Sequence, residues 1–71
     1  MKGYGRNLRQ LRGTRSREEI AKAVNISTSA IAMYENEERS PRDEIKLRLA
    51  DYFGTSVQEI FFTPESHEMR Q

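Results

Sequence analysis

The chain has no cysteine, one histidine and two prolines in 71 residues. Without cysteine there is neither a disulfide framework nor a thiolate metal site. The lone histidine, His67, has no second ligand or nucleophile near it in the sequence, so no catalytic residue, metal site or cofactor is expected. No apolar run approaches the ~20 residues of a membrane span. The N-terminus lacks the apolar segment of a signal peptide, so no membrane partner is expected and a cytoplasmic location is. No strand pattern, glycine-rich phosphate loop, repeat or low-complexity tract is present. The acid pairs Glu18–Glu19 and Glu37–Glu38 read as surface charge, not as a buried carboxylate dyad. An enzyme is not expected.

A chain this short supports a single domain with a small core. Its net charge is only +1, but the charge is unevenly placed. Residues 1–17 hold Lys2, Arg6, Arg9, Arg12, Arg15 and Arg17 with no acid, a charge of +6. The remainder holds six bases and eleven acids, a charge of −5. A basic head of this kind is suited to phosphate, while the acidic remainder limits non-specific adhesion.

The most structured stretch runs from Ser16 to Asn36. Ser16 with Glu19 three residues on is a capping box, so a helix opens after Ser16. Ile20, Ala21 and Val24 share one face of it. Asn25 stands where the helix must stop, and asparagine tolerates the left-handed conformation of a C-terminal cap. Ile26 is an apolar turn residue and Ser27 is the next N-cap. A stop, one apolar residue and a start leave no room for a loop, so the two helices cross steeply. This is a helix-turn-helix pattern. Ala21 falls in the elbow, where a larger side chain would wedge the helices apart. At ~100° per residue, Ala30, Ile31 and Tyr34 of the following helix point inward, and Thr28, Ser29, Ala32, Met33 and Asn36 point outward. None of the outward residues is charged, although a surface helix normally carries lysine and glutamate there.

The other elements follow from the same local rules. Tyr4, Leu8 and Leu11 define a first helix ending at Gly13, and Ser40-Pro41 is expected to open a fourth, with Asp43 and Glu44 in its first turn. Ile45, Leu49, Tyr52 and Phe53 share the face of that helix that roofs the core, Leu47 lies off it, and Gly54 stops it. Ser56 with Glu59 caps a last short helix. Val57, Ile60, Phe61 and Phe62 exceed what one exposed turn needs, so some close the core and any left exposed are dimerisation candidates. The expected fold is all-α, a bundle of five short helices over residues 1–62, with a flexible tail over 63–71.

The set Leu8-Arg9-Gln10-Leu11-Arg12, Ser16 to Ala21, Ile26-Ser27, Ile31, Tyr34-Glu35, Arg39-Ser40-Pro41, Leu49-Ala50 and Phe53 to Phe61 resembles the phage-repressor and Cro-like (XRE-type) helix-turn-helix family. The resemblance covers about Asn7 to Phe62. It implies a lambda-repressor-like fold and a sequence-specific DNA-binding transcriptional regulator, a repressor before an activator. It also implies a homodimer on a palindromic operator in double-stranded DNA, a bacterial or phage-type, nucleoid-associated location and no small-molecule ligand. The family docks its third helix in the major groove. Carried over by position, Thr28, Ser29, Ala32 and Met33 become base contacts. Arg15, Arg17, Ser27, Asn36 and Arg39 become phosphate contacts. At position 17 many relatives have glutamine; an arginine there addresses phosphate with a full charge or pairs with a nearby acid, and both remain open. The helix has no long arginine or glutamine to read a base bidentately, so affinity is expected to lean on phosphates and dimerisation, with high salt sensitivity and an A·T-tolerant site.

The Glu35-Asn36-Glu37-Glu38 corner is either an activating surface or a solvated turn. The same fold reused as a protein-interaction module, such as an antitoxin or accessory subunit, is the alternative to a regulator.

Overall fold

The computed structural model describes residues 3–62. Five helices follow one another: α1 Tyr4–Arg12, α2 Arg17–Val24, α3 Thr28–Glu35, α4 Asp43–Phe53 and α5 Val57–Phe61. The expected tail and His67 lie outside the described residues.

Most boundaries are set by the caps the sequence announces. The Ser16, Ser27 and Ser56 hydroxyls each accept the amide of the residue three positions on, at 3.0 Å. Each satisfies one amide that a helix start leaves without a carbonyl partner. Asn25 has φ 62° and ψ 51°, and the Ile26 amide returns to the Ala21 carbonyl at 2.9 Å. That left-handed residue turns the chain from α2 into α3 within a few positions. Gly54, with φ 70°, ends α4 in the same manner.

Two starts differ from the simple pattern. Helix α4 begins at Asp43 with Arg42 as a cap that makes no side-chain bond, so Ser40 and Pro41 lie before the helix, not in it. Pro41 is buried, and the Tyr4 hydroxyl donates to the Arg39 carbonyl at 3.1 Å. The loop is thus packed and tied just where the capping rule would have coiled it. Helix α1 has no side-chain cap of its own. Glu37, at φ 60° in the turn after α3, supplies one from across the fold: its Oε2 accepts from the Gly3 and Gly5 amides, both at 2.9 Å. A carboxylate there also opposes the positive end of the α1 dipole.

The core gathers Tyr4 and Leu8 from α1, Ile20, Ala21 and Val24 from α2, Ile31 and Tyr34 from α3, Leu49 and Ala50 from α4, and Ile60 and Phe61 from α5. Ala21 is buried at the α2–α3 crossing, as its size requires. The Asn7 amide donates to the Ile60 carbonyl at 2.8 Å, and the Tyr4 and Phe61 rings lie 5.6 Å apart, which fastens α5 to α1. Ile60 and Phe61 are therefore core residues. Of the four apolar C-terminal side chains only Phe62 is well exposed, at 51%, joined on the surface by Leu47 of α4 at 62%.

Candidate nucleic-acid interface

Helix α3 divides as its wheel requires, with one exception. Ile31 and Tyr34 are buried, Ala30, Ala32 and Met33 are half-buried, and Thr28, Ser29 and Asn36 are exposed. The exception is Glu35, only 2% exposed although ionisable. It lies four residues after Ile31, on the buried side of the helix, at the rim beside Thr28 and Ala32.

Burying a carboxylate costs several kcal/mol unless it is paired and hydrogen-bonded. Glu35 is both. Arg12 of α1 grips it with two nitrogens, Nε to Oε2 at 2.7 Å and Nη2 to Oε1 at 3.2 Å. Arg17, at the first position of α2, donates its Nε to Oε1 at 3.0 Å. The Arg12 Nη1 is occupied too, on the Arg15 carbonyl at 3.1 Å. Glu35 is thus no part of an acidic surface corner, and Glu37 is the cap of α1; neither is a free solvated charge. A charged residue at an apolar helical position, with arginines to spare nearby, is the sequence signal for this burial.

The approach of α1 to α3 is close. A Cβ added at Gly5 would lie 2.2 Å from the Glu35 carbonyl oxygen, so only glycine fits there. Tyr4, next to it, is buried, and its phenol is pushed above the ordinary value by desolvation, then by the charge of Glu37, with a hydrogen bond from Ser40 opposing.

The proposed phosphate contacts have distinct settings. Ser27 caps α3 through its oxygen, leaving its hydroxyl proton to donate. Asn36 is the C-cap of α3, and its Oδ1 accepts from Arg9 Nη2 at 3.1 Å. Arg9, one of the arginines of the basic head, is thereby tied to the end of α3, although position alone did not mark it as a contact. Arg39 is exposed. Arg15 rests with its guanidinium 5.4 and 5.7 Å from the Tyr52 and Phe53 rings, at the end of α4. On the rim of α3 opposite Glu35, beside Ala30 and Tyr34, Arg39, Arg42 and Arg48 line a groove of about 370 Å³. Arg48 donates to the Val24 carbonyl at 3.2 Å and to Glu44 at 2.7 Å. The uncharged outer face of α3 therefore runs between two sets of arginines.

A short helix joined to its predecessor by a tight turn, capped by serine and flanked by cations, defines a helix-turn-helix domain. The helix-turn-helix family model matches residues 6–60, and the chain belongs to that family, the repressor- and Cro-like (XRE-type) group of DNA-binding regulators, which are typically not enzymes. No curated protein and no solved structure matches the chain. Among the described residues no helix is long and apolar enough to cross a membrane.

Proposed function

We propose that the protein is a transcriptional repressor that lays α3 in the major groove of a palindromic operator. The observation that carries this reading is the neutral outer face of α3 held between two arginine-bearing rims. A duplex presents a phosphate backbone on each side of the major groove, which cations on both flanks of an entering helix can meet, while small hydroxyl and apolar side chains between them reach the base edges. Thr28 and Ser29 supply hydroxyls to bases, and Ala32 and Met33 supply apolar contact to thymine methyls. Arg17, Ser27, Asn36 and Arg39 meet phosphates; Arg15, parked on aromatic rings, is the weakest of the set.

Homodimerisation is proposed through the exposed Leu47 and Phe62, with Val57 beside them lining a shallow groove. Two copies on a two-fold site would place their α3 helices one turn apart, ~34–36 Å. Selection of duplexes from a random pool, followed by gel shift with competitor DNA at moderate salt, tests the reading. A recovered two-fold motif that survives competition supports it. Retention only at very low salt, with no enriched sequence, rejects it in favour of a protein-interaction module using the same apolar patch.

A further inference from the structure

The three charged groups under the rim of α3 are not equivalent. Glu35 has a side chain only 1% exposed, against 21% for Arg12 and 40% for Arg17. Arg12 is consumed inward: Nε and Nη2 are on Glu35 and Nη1 is on a backbone carbonyl. Arg17 gives Glu35 its Nε alone. Its two terminal nitrogens have no hydrogen-bond partner among the described residues. One carboxylate against two guanidiniums leaves a net charge of +1, and Arg17 is the more exposed of the two cations and the one with unengaged terminal donors.

From this asymmetry we infer that Glu35 is a positioning residue for DNA binding, holding Arg17 by its inner edge so that the outer pair of nitrogens forms a ready fork for one backbone phosphate. The inference rests on the DNA-binding reading above and adds to it a residue that touches no DNA. The chemistry suits the task. A guanidinium has five donors in a fixed plane, so it can bind a carboxylate on one edge and a phosphate on another, which an ammonium cannot do with the same geometry. Fixing the side chain beforehand removes the rotamer entropy that a loose arginine loses on binding. The Arg12–Glu35 pair supplies a rigid, neutral base beneath it. Arg17, at the first position of α2, therefore combines two roles that its sequence leaves as alternatives.

The test is a double-substitution cycle on full-length protein, using a duplex selected from a random pool by the wild type and a random duplex of equal length, with thermal unfolding measured beside it. Glu35→Gln keeps the shape and removes the charge. It is expected to weaken binding to the selected duplex about tenfold in the wild-type background, as coupled neighbours do. In an Arg17→Gln background the same change is expected to cost less than about twofold, because nothing remains to be positioned. Equal losses in both backgrounds would assign Glu35 a structural role only and overturn the inference. Should Glu35→Gln fail to fold, Arg17→Lys decides: a loss matching that of Arg17→Gln supports the fork, and affinity close to wild type overturns it. Absence of any retention of the wild type by DNA removes the DNA-binding reading itself, and this inference with it; additive losses in a wild type that does bind remove the inference alone.

Discussion

The two rims of α3 carry cations of the same kind, held in opposite ways. On the α1–α2 side, Arg12 and Arg17 converge on a carboxylate inside the protein. On the α4 side, Arg39 and Arg42 have no ion pair among the described residues, and Arg48 pairs with the exposed Glu44. The first arrangement fixes donors in space; the second supplies charge that salt screens and side-chain motion spreads. An arginine count would rank the two sides alike, whereas burial of one partner separates a structural and orienting pair from a solvated one.

The sharpest way to break this contrast is to remove one arginine from each side. Arg12→Ala leaves the buried Glu35 with a single bond, from Arg17, and is expected to cost about 3–5 kcal/mol of unfolding free energy. Arg42→Ala, on an exposed residue, is expected to stay within about 0.5 kcal/mol. Comparable losses in urea unfolding would show the sides to be alike. Gly5→Ala attacks the held side from the backbone. Its methyl group meets the Glu35 carbonyl, and overpacking against a backbone atom is expected to cost about 3 kcal/mol.

Binding should separate the faces next. Ser29→Ala is expected to weaken the selected site by about 1–3 kcal/mol and random DNA hardly at all. Arg39→Ala is expected to weaken all sequences alike and to lower the slope of log affinity against log salt by about 1. Both are read by fluorescence anisotropy over a salt series. The smallest effect concerns Tyr4. Its raised phenol value means that the folded state resists deprotonation, so stability is full below the ordinary phenol value and falls as pH rises through the folded one. Tyr4→Phe is expected to abolish that alkaline decline while losing the bond to the Arg39 carbonyl at every pH.

Which features were legible follows from their range. Ser16, Asn25, Ser27, Gly54 and Ser56 act on amides and carbonyls a few residues away, so the pattern of caps predicts the helix-turn-helix and the order of the helices. The outward set on α3 is likewise a matter of periodicity. What escaped depends on distant partners. Glu35 reads as surface until Arg12 and Arg17 are known to converge on it, and Glu37 reads as loop charge until the start of α1 is brought beside it. Pro41 follows the rule for opening a helix but is drawn into the packing instead. Ile60 and Phe61 are apolar either way; only the meeting of α5 with α1 decides that they belong to the core and leaves Phe62 outside it.

The central claim, that the neutral face of α3 enters the groove, is tested most directly by methyl resonances. Thr28, Ala32 and Met33 carry methyl groups on that face, while Leu47 carries them on the apolar patch it shares with Val57 and Phe62. On titration with the selected duplex, the first three are expected to shift, with Met33 showing a contact to a thymine methyl, and Leu47 is expected to show no contact to DNA. Shifts confined to Leu47 and its neighbours, with Thr28, Ala32 and Met33 unchanged in the bound state, would contradict the claim.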